Sequence, residues 1–186
     1  MSQIPNTNIE PTLLSEDLWL RPLERDDLEG LFKAASDPVT WAGHPASDRY
    51  KRAVFEPYFA FLLENGGTLA IIDRSKNEII GCSRYYYPAV TPDSLSIGYT
   101  FLSNAYWGGH SNFAVKKLML NHAFKTVGDV WFHINPQNIR SQKATAKLGA
   151  QYVRTESLNL SGQNEAWMLF CLRKVDWQAI VKSKQG

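Results

Sequence analysis

The hydrophobic period changes at Gly66-Gly67. Before this pair, "YKRAVFEPYFAFLLENGG" sets Val54, Phe55, Tyr58, Phe59, Phe61 and Leu62 at helical spacing, with Pro57 as a point of possible kinking, and stops at the glycines. After it, "TLAIID", "RSKN" and "EIIGCSRYYY" read as two strands joined by a short turn. A chain that alternates between these periods packs helices on a sheet. The other segments extend the pattern. "SEDLWLRPLE" reads as a first strand and "RDDLEGLFKAASD" as a helix with acids in its first turn. "SLSIGYTFL" is a strand interrupted by Gly98, a mark of a bulge or a close backbone approach. A helix follows "AYWGGH", then the short strand "VWFHI". The helix "NIRSQKATAKLG" comes next, with Asn138 as N-cap and Gly149 past its end, and a terminal hairpin closes the chain. The order is β-α-α-β-β-β-α-β-α-β-β: one mixed α/β domain over 13–186, preceded by a flexible tail, 1–12.

Composition removes several classes. The chain has 186 residues, 44% of them apolar and 20% charged, and a net charge of +2. This is a soluble globular balance and gives no electrostatic case for nucleic acid. Cys82 and Cys171 lie in apolar runs and read as reduced core residues. No His/Cys cluster has metal spacing, so no metal is expected. No targeting sequence or membrane-length apolar run is found, which leaves the cytoplasm as the expected location.

Gly108-Gly109 stands directly before a helix, in "AYWGGHSNFAVKKLML". Paired glycines suit a sharp turn, and equally a backbone that must approach a ligand closely. The unpaired amides of a helix start, after a strand and a glycine turn, suit an anion such as phosphate. There is no Gly-Lys-Ser/Thr ending and no Gly-x-Gly-x-x-Gly, so neither nucleotide fingerprint applies. On the helix, Val115, Leu118, Met119, His122 and Ala123 are expected on the packed stripe, and Lys116, Lys117, Asn121 and Lys125 on the other side.

A second motif, "NPQNIRSQKATAKLGAQYV" from Asn135 to Val153, follows one strand later. Together the two resemble the GNAT superfamily of acyl-CoA-dependent N-acyltransferases, nearest the branch of ribosomal-protein N-terminal acetyltransferases. The resemblance runs from "LRPLERDDLEGLF" to the terminal hairpin. It implies a mostly antiparallel central sheet of about seven strands with flanking helices. It implies acetyl-CoA as cosubstrate, with the pyrophosphate at the glycine turn and helix start: Trp107, Gly108, Gly109, His110, Ser111 and Asn112. His110 stands where the family has its second glycine, and Asn112 where it has a small residue. Asn138 aligns with the asparagine that binds the pantetheine arm, and Ser141 with a serine common in the branch. The oxyanion donor falls within Phe101, Leu102 and Ser103. The family's general-acid tyrosine aligns with Thr145, and its glutamate base with Ser96. That leaves Ser141 as a candidate proton donor for the leaving thiolate and His44 as a candidate base. A primary amine attacking the thioester must be neutral, which is what a base secures.

The remaining candidates divide between structural and functional readings. His122 sits in an apolar stripe and reads as core; His133 lies on a short strand with its facing undecided. In "RYYYP", Tyr86 must point away from Tyr85 and Tyr87. Lys116, Lys117, Arg140 and Lys143 form either a basic rim for the CoA ribose phosphate or a solvated surface. The resemblance makes the chain an N-acetyltransferase acting on a primary amine, as a monomer or homodimer. The alternatives are a catalytically decayed CoA-binding module, and a peptide- or RNA-binding module using the tyrosines.

Overall fold

A computed structural model describes residues 6–87, 94–160 and 162–183. Residues 1–5 of the expected tail, and Pro88 of "RYYYP", lie outside them. The elements run β1 (Leu13–Leu14), β2 (Leu18–Pro22), α1 (Leu28–Ala35), α2 (Arg52–Glu64), β3 (Thr68–Asp73), β4 (Glu78–Tyr86) and β5 (Ser94–Leu102). Then come α3 (Ser111–Ala123), β6 (Asp129–Ile134), α4 (Ile139–Lys147), β7 (Gln151–Asn159), β8 (Asn164–Arg173) and α5 (Lys174–Ser183). The strands form one sheet in the order β1-β2-β3-β4-β5-β6-β8-β7. Every neighbouring pair is antiparallel except β5–β6, which is parallel.

The mixed α/β reading holds, with eight strands in the sheet among the described residues where about seven are expected. The addition is β1, two residues that pair Leu13 with Leu20; it is too short to show a period. The terminal helix α5 was also not anticipated. It turns directly out of β8 and buries Trp177 at 2% exposure. Among residues 6–12, the Thr7 hydroxyl bonds that of Thr126, and the Glu10 carboxylate accepts from the Gly67 amide.

Each face of the sheet has its own core. On one, Val115, Met119 and Leu120 of α3 and Trp177 of α5 pack on Leu95, Ile97, Val130 and Phe132. On the other, Leu31 of α1 and Phe55 and Leu62 of α2 pack on Ala70, Ile72, Cys82 and Phe101. Helix α2 runs through Pro57 without interruption.

Helix α3 corrects the expected stripe. Its buried residues are Val115, Lys116, Met119, Leu120 and Ala123, so the packed face is turned by about one position. His122 moves to the margin, where its Nε2 meets the carbonyl of Asn8 at 2.7 Å and its ring lies beside Tyr85. Lys116, expected on the open side, is buried instead.

Candidate functional site

The site begins where two strands part. Among the described residues the β5–β6 ladder has three pairs, Ser94–Asp129, Leu95–Val130 and Ser96–Trp131. Beyond these, Ile97–Leu102 and Phe132–Ile134 run on without pairing to each other, and a gap opens between them. Both strands point the same way, so both C-terminal ends, and the helices that follow, lie at the mouth of this gap. A crevice at the carboxyl ends of diverging parallel strands is a usual place for a ligand in an α/β sheet.

Strand β5 carries a bulge on one wall of the gap. Cys82 pairs with Phe101 and Arg84 with Gly98, so Ser83 faces both Tyr99 and Thr100. Tyr99 takes the extra turn with φ 51°. Past the bulge, the Ser103 amide donates to Ile80 carbonyl at 2.8 Å, toward β4. Ladder alternation then turns the Leu102 backbone toward the gap, where its carbonyl accepts from Trp107 Nε1 at 2.9 Å. Of Phe101, Leu102 and Ser103, therefore, Leu102 presents its amide to the gap.

The chain next makes a short 3-10 turn, Asn104–Tyr106, and reaches the two glycines. Gly108 has φ +73°, which a side chain adopts only under strain. Gly109 is not in that region. A Cβ on either glycine would find no protein atom within 4 Å, so the space before the helix is open. His110 precedes α3 and makes no side-chain cap. The first bond of the helix runs from the Ala114 amide to the His110 carbonyl, which leaves the amides of Ser111 and Asn112 ahead of the ladder.

Asn138 heads α4 at the other side of the mouth. Its side-chain oxygen accepts from the Ser141 amide at 3.1 Å, an N-cap as the sequence suggested. Its side-chain nitrogen has no partner among the described residues. Ser141 is half-buried, and Thr145, one turn on, is buried at 5%. Arg140 lies over the Trp107 ring, and its guanidinium donates to the Thr40 carbonyl at 3.2 Å.

His44 lies in the connector after α1, edge-on to Trp41. Its Nδ1 accepts from the Ala46 amide at 2.9 Å. Burial, with help from Arg49 and Arg140, lowers its pKa to about 4. A neutral imidazole accepting at Nδ1 holds its proton on Nε2, so His44 has no free lone pair in this arrangement.

Two groups here were misplaced or left undecided by the sequence. Lys116 is 6% exposed, and its ammonium nitrogen meets the Ser83 hydroxyl at 3.1 Å and the Thr100 hydroxyl at 2.5 Å, behind the bulge. Burial lowers its pKa to about 7. The other is the pair Tyr86 and His133, joined from Tyr86 hydroxyl to His133 Nδ1 at 2.9 Å. Tyr85 turns the opposite way and donates to the Met119 carbonyl at 2.7 Å, so the expected alternation of the tyrosines is present. Ser96 is 1% exposed and pairs with Tyr86. A cavity of about 310 Å³ is lined by Tyr86, with Phe61, Arg84, Tyr99 and Leu160 among others. Among the described residues, no His/Cys/Asp/Glu group is placed to hold a metal ion, and no helix is long and apolar enough to cross a membrane.

A family model for the acetyltransferase (GNAT) domain matches residues 17–151. No curated protein matches the chain in sequence. Solved structures do match in fold. A GCN5-related N-acetyltransferase from Brucella melitensis has a TM-score of 0.78 at 18% identity, covering 98% of this chain and 87% of its own. A GNAT-family acetyltransferase from Bacillus anthracis has a TM-score of 0.68 at 14% identity, covering 88% and 98%. Mycobacterium smegmatis RimJ, in complex with CoA-disulfide, has a TM-score of 0.67 at 15% identity, covering 98% of both chains.

Proposed function

The chain belongs to the GNAT family of acetyltransferases, and on that premise we propose that it transfers the acetyl group of acetyl-CoA directly to a primary amine. The observation that carries this reading is the unpaired stretch of β5 and β6, with the starts of α3 and α4 at one mouth. The open space at Gly108 and Gly109 fits a pyrophosphate, held by the amides of Ser111 and Asn112 with His110 beside them and favoured by the helix field. The free side-chain nitrogen of Asn138 fits a pantetheine carbonyl. The Leu102 amide is placed to donate to the thioester oxygen as it gains charge. The acceptor approaches from the face of α1 and α2, where the cavity beside Tyr86 opens. Protein N-termini and small amines are the acceptor classes, and the cytoplasm the proposed location. The resemblance of the sequence to the ribosomal-protein branch of the family makes ribosomal-protein N-termini the first to try.

A decayed, CoA-binding member of the family remains a second reading, favoured by Ser96 in place of a strong base and by Thr145 in place of a phenol. One experiment separates them. Acetyl-CoA at millimolar concentration raises the melting temperature under both readings, because it binds only the folded state. CoA release with peptides carrying each N-terminal residue, and with small primary amines, occurs only under the first. No melting shift overturns both.

A further inference from the structure

Arg84 is a buried cation, 8% exposed, on β4 opposite Gly98. Its Nε donates to the Gly66 carbonyl at 2.8 Å and its Nη2 to the Asn65 carbonyl at 2.9 Å, so two nitrogens hold the end of α2. Rings close around the rest. The guanidinium carbon lies 5.2 Å from the Tyr99 centroid, 5.5 Å from Phe61 and 5.7 Å from Tyr86. The Tyr86 ring lies over Gly98, where a Cβ would stand 3.0 Å from its Cε1. Arg84 Nη1, with two N–H donors, has no partner among the described residues. It is not sealed in: the buried side-chain nitrogens left without a partner there are His133 Nε2 and Trp167 Nε1. Arg84, Phe61, Tyr86 and Tyr99 all line the cavity of about 310 Å³, so Nη1 is left for what enters it.

The clamp on α2 accounts for two nitrogens and leaves the charge unmatched. Carbonyl dipoles and aromatic faces attract a guanidinium but carry no net charge. A buried ion without a counter-ion is costly. Elsewhere the fold supplies one: Arg21, at 20% side-chain exposure, holds Asp27 through two bonds of 2.7 Å. Among the described residues no Asp, Glu or Lys lines the cavity. It therefore offers one positive charge, one open corner of donors and aromatic walls, which suit a small monoanion with an apolar body. A phosphate would need further donors, and the C-terminal end of α2 beside Arg84 opposes a second negative charge. A carboxylate fits the single corner.

We propose that the acceptor amine carries a carboxylate, and that Arg84 binds it through Nη1 in this cavity. The inference rests on the transfer reading above and names the acceptor's chemistry. Tyr99 belongs both to the cavity lining and, as the bulged residue, to the β5 wall of the gap. An acceptor anchored at Arg84 is thus held beside the gap, with its amine free to reach the thioester. A volume of about 310 Å³ is at the small end of ligand pockets, room for an amino acid or the first residues of a peptide. A neutral amine leaves the guanidinium unmatched, which makes the anion a specificity element.

Matched acceptors test this on the whole protein with acetyl-CoA. One pair is an ω-amino acid, 5-aminopentanoate, and its amide. The other is a C-terminally amidated peptide with glutamate as second residue, and the same peptide with glutamine. The wild type should use the carboxylate member of at least one pair with a kcat/KM about tenfold or more higher, the gain from one charge-assisted hydrogen bond. The pair that responds separates a small amino acid from a peptide N-terminus. Arg84→Gln should bring that ratio close to one with CoA affinity unchanged. Where loss of the α2 contacts prevents folding, Arg84→Lys keeps the charge without the fork and should lower the ratio. A ratio near one in both pairs, or a ratio unchanged in the folded variant, overturns the proposal and leaves the transfer reading standing. A wild-type protein that binds CoA but acetylates no amine overturns both.

Discussion

The guanidinium of Arg140 lies 3.9 Å from the centroid of the Trp107 ring. The contact joins α4 to the glycine turn, while Arg140 also bonds the Thr40 carbonyl and Trp107 the Leu102 carbonyl. Four segments around the mouth of the gap are thereby tied at one point. Arg140→Ala should release the turn and weaken CoA binding by about fivefold, the equivalent of a cation–π contact near 1 kcal/mol. Calorimetric titration with CoA reads this directly, and an unchanged affinity would show that the stack does not shape the site.

The two glycines should separate in their effects. Gly108→Ala forces a side chain into φ +73° and should cost about 1 kcal/mol of stability. Gly109→Ala should leave stability unchanged, since its Cβ meets open space. Gly109→Val fills that space and should weaken CoA binding without loss of fold. Denaturation and calorimetry on the same variants distinguish these outcomes; equal CoA affinity across all three would reduce the glycines to a turn.

Lys116 should leave a signature in the pH dependence of stability. Its pKa is about 7 in the folded protein against an ordinary 10.5. Between those values the unfolded chain holds a proton that the folded protein has lost, so stability rises with pH over this range. Below about pH 7 both states are protonated and the full burial cost is felt, an upper bound of about 5 kcal/mol. Lys116→Met should therefore stabilise the protein most below pH 7 and progressively less toward pH 10. Urea denaturation at several pH values checks it; a constant difference would place the ammonium in a better-solvated setting.

Asn138 serves the fold whatever else it does. Its oxygen caps the Ser141 amide, and Asn138→Ala should cost about 1 kcal/mol. Asn138→Asp keeps the capping oxygen but removes the side-chain N–H donors. If that nitrogen holds the pantetheine arm, the Asp variant should retain stability and lose CoA affinity. Parallel loss in both variants would mean the cap alone matters.

Sequence reading and structure agree where one local rule decides. Period separates the helices from the strands, and Asn138 and Gly149 bracket α4 as capping rules require. Gly98 marked a bulge or a close approach, and the structure has both: the bulge falls at the next residue, and the Tyr86 ring crosses over the glycine itself. What could not be read depended on tertiary placement. Helical spacing alone left α3 free to turn by one position, which exchanged His122 for Lys116 in the core. His133 could be put on a strand, but only the Tyr86 ring, reaching over Gly98 of β5, brings it a phenol. His44 is a plausible base as a loop histidine, yet its lone pair is engaged by an amide two residues away, a contact no spacing rule shows. The two residues of β1 carry no period at all.

The short ladder between β5 and β6 bears on motion as well as on binding. Strands β1 to β5 form a meander of sequential neighbours, and β6, β8 and β7 form a second antiparallel group. Among the described residues, three backbone pairs join them. Amide exchange should accordingly divide the sheet into two cooperative units, with local opening starting at Ile97–Leu102 and Phe132–Ile134 and the interior of each group exchanging last. A ligand lying along that seam would slow exchange on both banks at once, so protection should spread across the junction more than within either unit.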